Sequence, residues 1–216
     1  MSSIQELIFI IPILLLSLSF HEYSHGKVSY MLGDPTPKMM GRLTLNPLAH
    51  LDLMGSLVLV LTRRIGWAKP VPINPRYYKN PRQGMLLVGL AGPGANIILA
   101  ILFALLVKII LQLTGLTLRH SYLYGYGQVS TIVKTTISFF YLAVLVNLSL
   151  AVFNLIPIPP LDGSKILRGF LPPRYDRYFL KLEGPVGMIV LLLLAYTGIL
   201  WSIIRPVISL LMNLLL

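Results

Sequence analysis

The 216-residue chain is 56% hydrophobic and only 12% charged, whereas soluble domains carry about 25% charged residues. This composition and several long apolar runs exclude an ordinary soluble domain and predict an all-α polytopic membrane protein, with residues 1–216 as one domain. The formal net charge of +11 favours contact with anionic lipid over nucleic acid, because the charges lie mostly between apolar segments. The absence of cysteine excludes disulfides and thiolate metal ligands.

The first apolar segment, residues 4–25, is predicted to cross the membrane. We expect it to be retained, because no Lys or Arg precedes it and no small-residue cleavage site follows it. Residues 33–47 are rich in Gly, Pro and Thr, and their piece 38–45 predicts short strands. The apolar segment 51–62 is shorter than the roughly 20 residues that a span needs, so we predict a re-entrant or interfacial segment.

Three further spans are predicted after a connector whose prolines exclude a continuous helix. They cover residues 85–111, 132–156 and 186–204. Arg205 and Pro206 interrupt the last of them, and the sequence leaves open whether the short apolar tail 207–216 crosses.

The distribution of Lys and Arg predicts the orientation. Residues 26–83 contain nine of them and the loop after Asp162 contains five, whereas residues 114–130 contain only Arg119. By the positive-inside rule, the first helix then runs from outside to inside. We therefore predict a multi-pass integral membrane protein whose polar motifs lie toward the cytoplasmic side.

Two histidines on the first helix predict a metal site. His21 and His25 are four residues apart and share one helical face, where two imidazoles can bind one zinc ion. Glu22 beside them can act as the general base on zinc-activated water, which is the chemistry of a metalloprotease. The alternative is that these side chains only make interhelical hydrogen bonds. Ionisable groups at a membrane helix favour the functional interpretation, because placing them there is costly.

A catalytic zinc ion needs a third protein ligand and one position open to water. Asp162 is the leading candidate, because it follows span 132–156 and reaches the same inner face as the first helix. An equal alternative is that Asp162 caps the helix that follows it. His50 and Asp52 are weaker candidates, and His120 lies on the opposite side of the membrane.

Asn154 is a polar residue near the end of an apolar span. Its amide is suited to hydrogen-bond a substrate backbone or a tetrahedral oxyanion. The alternative is an interhelical hydrogen bond, and that alternative carries more weight for Asn96, Asn147 and Ser149.

Taken together, these motifs resemble the site-2 protease family of intramembrane zinc metalloproteases. The resemblance rests on His-Glu-Tyr-Ser-His at 21–25 and on Asn-Leu-Ile-Pro-Ile-Pro-Pro-Leu-Asp-Gly at 154–163, with Ala-Gly-Pro at 91–93. Residues 41–47 and 67–72 are similar to the short prokaryotic branch of the family, which lacks appended PDZ or CBS domains.

The resemblance implies the roles of the site residues. One Zn²⁺ ion per chain would be bound by two histidines and an aspartate, with a glutamate as catalytic base and an asparagine in contact with substrate. In this sequence these residues are His21, His25, Asp162, Glu22 and Asn154.

The resemblance also implies a site-2-protease-like helical core, made of the first helix and spans 85–111 and 132–156. A small membrane-associated β element would follow the first helix, with residues 38–45 as the match, and its edge would capture an unfolded substrate segment. The implied partners are the lipid bilayer of a prokaryotic cell and a transmembrane peptide or protein substrate. No nucleic acid is implied, and the oligomeric state is left open.

Two other classes of function compete at this point. A metal transporter also has broken helices with ionisable residues at membrane depth, but the sequence has no internal repeat, and a glutamate between two ligand histidines is typical of a hydrolase. A non-catalytic membrane scaffold is the second alternative, and the intact set of histidines and acids argues against it.

Overall fold

The computed structural model describes residues 3–52, 55, 68–116 and 130–216. In these ranges the chain is mostly helical, with single turns of 3-10 helix at Pro47–Ala49, Pro75–Tyr77 and Pro173–Tyr175. The α-helices are α1 (Ser3–Met31), α2 (Thr36–Met39), α3 (Pro81–Thr114), α4 (Thr131–Asn154), α5 (Asp162–Phe170), α6 (Asp176–Leu182), α7 (Pro185–Tyr196) and α8 (Ile199–Leu215).

Three of the described helices are long and apolar enough to cross a membrane. They are α1 from Ile8 to Met31, α3 over Pro81–Thr114 and α4 over Thr131–Asn154, and they overlap the first three predicted spans. The number rises to four if Pro173–Leu182 and Pro185–Tyr196, which are bent by 72°, form one broken span. The multi-pass membrane architecture thus agrees with the composition.

Capping residues set the ends of the long helices. Asn80 accepts a hydrogen bond from the backbone N–H of Gln83 at 3.3 Å, and Pro81 occupies the first turn of α3, where no helical donor is lost. Gly115 ends α3 in the left-handed region, with φ +67°. Because of these caps, α3 begins four residues before the span that hydropathy predicts.

The central helix of the fold is α3, which packs against α1, α4 and α5. Its buried small residues Ala100 and Ala104 contact Val144 and Leu148 of α4, and small residues let helices approach closely in lipid. Large apolar residues such as Ile98, which is 60% exposed, point outward. This pattern is expected of a helix that packs on some faces and meets lipid on the others.

The predicted β element is wrong for the residues that the structure describes. The piece 38–45 contains the end of α2 and a turn at Gly41, whose φ is +65°. Pro35 and Pro37 favour the first turn of a helix over a strand, because proline has no N–H to give to a ladder. Extended pairing in the described chain is limited to one isolated antiparallel bridge, between Leu51 and Ala68.

The predicted span 186–204 is also wrong as a single helix. α7 ends at Tyr196, and Gly198, with φ +80°, precedes the first residue of α8. α8 then continues through Arg205 and Pro206 to Leu215. The break therefore lies at the glycine, whose left-handed conformation other residues resist, and Arg205 and Pro206 are helical.

Two predictions fall mostly outside the described residues. Of the segment 51–62, only Leu51, Asp52 and Gly55 are described, so its re-entrant nature stays a prediction. The loop 114–130 is described only at its ends, and His120 lies outside the described residues.

Candidate metal centre

The two histidines of α1 lie side by side at the junction of α1, α3 and α5. Their spacing of one helical turn brings the His21 and His25 rings to 4.6 Å between centroids, and the two Nε2 atoms are 3.1 Å apart. The residues are only 5% and 6% exposed. Two imidazoles thus present one nitrogen each to the same buried point.

Asp162 brings a carboxylate oxygen to the same point. It is the first residue of α5, and its Oδ2 lies 3.2 Å from His21 Nε2 and 3.1 Å from His25 Nε2. The N-cap of α5 is Leu161, and no side chain caps the helix, so the alternative capping role of Asp162 is not observed. The loop before α5 packs against the start of that helix at Gly163. A Cβ on Gly163 would lie 2.5 Å from the Ile156 carbonyl oxygen.

The weaker ligand candidates are elsewhere. His50 Nε2 bonds the carbonyl oxygen of Thr44 at 2.8 Å, and Asp52 Oδ1 accepts from the backbone N–H of Gly55. Among the described residues, one group of three metal-ligating side chains converges, and it consists of His21, His25 and Asp162.

Hydrogen bonds on the far side of each ring fix the histidine tautomers. His25 Nδ1 lies 2.6 Å from the Val88 carbonyl oxygen, which can only accept, so this nitrogen carries the proton. His21 Nδ1 lies 2.7 Å from Oδ1 of Asn96, whose amide nitrogen donates to Asn147 Oδ1. The side-chain oxygen of Asn96 therefore accepts a hydrogen bond from the protonated Nδ1 of His21. Both Nε2 atoms are left with lone pairs directed at Asp162.

This donor set fits a divalent cation. Two imidazole lone pairs and a carboxylate oxygen about 3.1 to 3.2 Å apart repel one another unless a positive charge lies between them. Tetrahedral zinc, with bonds near 2.0 to 2.1 Å, holds its ligands about 3.3 Å apart. The bonds from Nδ1 to Asn96 and Val88 are the outer-sphere contacts that zinc-binding histidines generally make. The residues present therefore suit zinc by number, type and spacing.

Glu22 and Asn154 line the cavity beside these ligands, which has a volume of about 120 Å³. One Glu22 oxygen, Oε2, accepts the backbone N–H of Val71 at 2.9 Å. Asn154 is the last residue of α4, and its amide nitrogen donates to the Leu150 carbonyl oxygen at 2.9 Å. The predicted base and the predicted substrate contact thus line one cavity together with His21, His25 and Asp162.

Comparison with known proteins decides the family. The profile of Peptidase family M50 matches residues 9–195, which contain every site residue described above. The chain belongs to peptidase family M50. This confirms the site-2 protease resemblance and makes the protein a zinc-dependent membrane metalloprotease.

Curated M50 relatives carry matching names. The chain is 38% identical over 202 residues to "Putative zinc metalloprotease YwhC" of Bacillus subtilis, covering 93% of this chain and 86% of that protein. It is 29% identical over 198 residues to "Putative zinc metalloprotease Rip2" of Mycolicibacterium smegmatis, covering 90% of this chain and 69% of that protein. "Zinc metalloprotease MJ0392" of Methanocaldococcus jannaschii is 30% identical over 123 residues, which are 56% of this chain and 30% of that protein. No solved structure matches the chain.

The structure gives Gly92 of this M50 protein a role that the Ala-Gly-Pro motif at 91–93 did not reveal. A Cβ at this position would overlap His25 Nε2 and would lie 2.6 Å from His21 Nε2. Gly92 therefore makes room on α3 for both imidazole rings. Asn96 lies one turn further along the same face and bonds His21.

The connector between α2 and α3 braces the M50 site from the other side. Buried Arg42 donates from Nη2 to the carbonyl oxygens of Lys69 and Pro70, at 2.5 and 3.2 Å. This holds the extended segment that offers the Val71 N–H to Glu22. A lone arginine in a Gly- and Pro-rich stretch gave no sequence signal for this role.

Asp34 lies in the turn after α1 and links that turn to the connector. Its Oδ1 accepts the backbone N–H of Thr36, while its Oδ2 accepts from Ser29 Oγ at 2.8 Å and from the Asn74 N–H at 2.7 Å. Burial raises the pKa of this carboxyl, but the hydrogen bonds outweigh burial and hold the pKa below its ordinary value. The end of α1 is thereby tied to the connector.

Proposed function

We propose that this protein cuts peptide bonds of transmembrane or membrane-anchored substrates near the cytoplasmic face of a prokaryotic cell membrane. One observation carries the proposal. The ligand atoms of His21, His25 and Asp162 converge in the same cavity as the Glu22 carboxylate, at the end of an apolar helix long enough to span a bilayer.

In this proposal His21, His25 and Asp162 hold one zinc ion. When bound, the ion supplies Lewis-acid chemistry, which makes water more acidic and polarises a substrate carbonyl. The protein's contribution is to hold both imidazoles in one tautomer through Asn96 and the Val88 carbonyl oxygen. The burial of the cluster supports this role, since exclusion of bulk water strengthens every electrostatic interaction in the site.

Glu22 acts as the general base. Its carboxylate accepts a proton from the attacking water and returns that proton to the nitrogen of the leaving amine. The hydrogen bond from the Val71 N–H keeps one carboxylate oxygen in place. The orientation of the base therefore depends on the connector segment as well as on α1.

Asn154 contacts the substrate. Its side chain lines the same cavity as the proposed base and ligands, where an amide can hydrogen-bond an extended peptide backbone. A substrate helix has to unwind locally before it reaches this point, because its carbonyl and N–H groups are otherwise hydrogen-bonded to one another.

The cytoplasmic placement is supported by the charge distribution. Nine Lys and Arg residues lie between the first two spans, and five follow Asp162. In that orientation α1 and α4 both run inward, so the histidines and Asp162 approach the same side.

The test is a Glu22→Gln variant of the full chain, assayed with a transmembrane model peptide. We expect zinc content to match wild type while cleavage falls by about 10²- to 10⁴-fold, the range for loss of a general base. Glu183→Gln is the matched control, because Glu183 is about half exposed and pairs with Arg168 far along the chain from the motif.

Three results would oppose the proposal. Wild-type cleavage by Glu22→Gln would remove Glu22 from the chemistry. Cleavage-independent metal flux into proteoliposomes, blocked in the same variant, would indicate a transporter. Wild-type protein that takes up no zinc and cuts nothing would indicate a non-catalytic scaffold.

A further inference from the structure

The two oxygens of the Asp162 carboxylate have different partners. Oδ2 faces the two Nε2 atoms, whereas Oδ1 accepts a hydrogen bond from Lys165 Nζ at 2.8 Å. Lys165 lies three residues later on α5, so the pair is formed within one helical turn. The Lys165 ammonium group thus binds Oδ1, the carboxylate oxygen that does not face the histidines.

This division matters for a metal ligand. A carboxylate binds a cation through one oxygen or through both, and a second bound oxygen would fill the position that a hydrolytic zinc centre keeps open for water. We propose that Lys165 is a positioning residue that keeps Asp162 a one-oxygen ligand and so keeps that position open. The inference rests on the proposed function, because it takes Asp162 as a zinc ligand.

The backbone around Lys165 holds it in place. The first turn of α5 packs directly on α3 at Gly89, where a Cβ would lie 3.2 Å from Lys165 Cβ and 3.2 Å from the Asp162 carbonyl oxygen. A Cβ at Gly89 would require these neighbours on α5 to shift by a few tenths of an ångström. The stem of Lys165 is thus fixed beside the carboxylate that its ammonium contacts.

One other acidic residue that lines a cavity with Lys165 is engaged elsewhere. Its side chain also borders a second cavity of about 300 Å³, which Asp176 lines. Asp176, however, pairs with Arg82 at 3.0 Å and with Arg168 at 3.5 Å. Because Asp176 is paired with these two arginines, the Lys165 ammonium group pairs with Asp162.

Metal coordination separates this role from ordinary helix stabilisation. The Lys165 side chain is 30% exposed, while that of Asp162 is only 5% exposed. A purely structural ion pair would leave metal coordination unchanged when the ammonium group is removed. A positioning role predicts a change in coordination.

The experiment uses the full chain in detergent, loaded with Co²⁺ as a spectroscopic substitute for zinc. Lys165→Met removes the ammonium, Lys165→Arg restores a cation, and Lys181→Met is the control for losing an exposed lysine on neighbouring α6. We expect Lys165→Met to lose intensity in the visible Co²⁺ bands, because added coordination lowers it, and Lys165→Arg to regain the wild-type spectrum. Zinc-dependent kcat should fall about 10-fold, in the range for outer-sphere changes, with KM unchanged.

The outcomes are distinguishable. A wild-type Co²⁺ spectrum in Lys165→Met, or equal changes in Lys165→Met and Lys181→Met, overturns the inference and leaves the proposed function standing. Wild-type protein that binds no metal overturns both. If Lys165→Met does not fold, Lys165→Ala is read in the same way, because alanine favours the helix and also lacks the ammonium.

Discussion

Gly92 offers the sharpest test of how the metal centre is built. Gly92→Ala adds one methyl group to α3 where both imidazole rings pack. The new Cβ would lie 2.6 Å from His21 Cε1 and Nε2, about 0.8 Å short of the 3.4 Å of ordinary contact, and closer still to His25 Nε2. Either the rings or the helix must move by most of that distance.

Metal ligation does not tolerate such a movement. Bond lengths in a zinc site hold within about 0.2 Å, so a ring displaced by several tenths of an ångström no longer reaches the ion. We expect zinc affinity to fall by about 100-fold or more, beyond the usual outer-sphere effect. Overpacking should lower the free energy of unfolding by about 1 to 3 kcal/mol.

The assay combines zinc competition against a chromogenic chelator, cleavage of a transmembrane model peptide and thermal unfolding in detergent. Gly94→Ala is the matched control, because its Cβ would have no neighbour within 4 Å. A helical Gly→Ala change there should be neutral or stabilise by about 0.5 to 1 kcal/mol. Folded Gly92→Ala protein with wild-type zinc affinity and activity would refute the packing argument.

Two further predictions concern residues around the site. Asp34→Asn should lower the free energy of unfolding by about 1 to 3 kcal/mol at pH 7. Because the folded-state pKa of Asp34 is lowered, its contribution is complete above the ordinary value near 4 and is lost as pH falls further. Thermal unfolding should show the gap to wild type narrowing below pH 4, and a gap that stays constant would contradict this. Asn96→Leu should weaken zinc binding by about 10- to 100-fold, and Asn147→Leu, one hydrogen bond further from His21, should weaken it less; chelator competition that finds equal losses would contradict the proposed order.

The sequence predicted most of what lies on regular helices. Hydropathy located the three long helices, and a spacing of four placed His21 and His25 together, because helical periodicity converts sequence separation directly into direction. Asp162 was predicted only as one of two equal possibilities until the family resemblance was considered. Its meeting with the histidines depends on the fold of residues 155–161, which no local pattern encodes.

The errors come from segments whose conformation depends on single glycines and prolines. The strands expected at 38–45 gave way to α2 and a turn at Gly41, and the expected break at Arg205 and Pro206 lies instead at Gly198. A hydropathy value is an average over many residues, so it does not detect the effect of a single glycine or proline. The contacts of Arg42 were not predictable either, because the carbonyl oxygens of Lys69 and Pro70 are brought close to it by packing.

The residues of the proposed metal centre are also separated widely along the chain and are therefore translated at different times. Asp162 follows His25 by 137 residues, so a growing chain contains its two histidines and Glu22 long before the proposed third ligand is translated. A nascent chain that ends before α5 lacks the aspartate and cannot assemble the three-residue donor set. Assembly of the proposed donor set therefore requires translation through the first turn of α5.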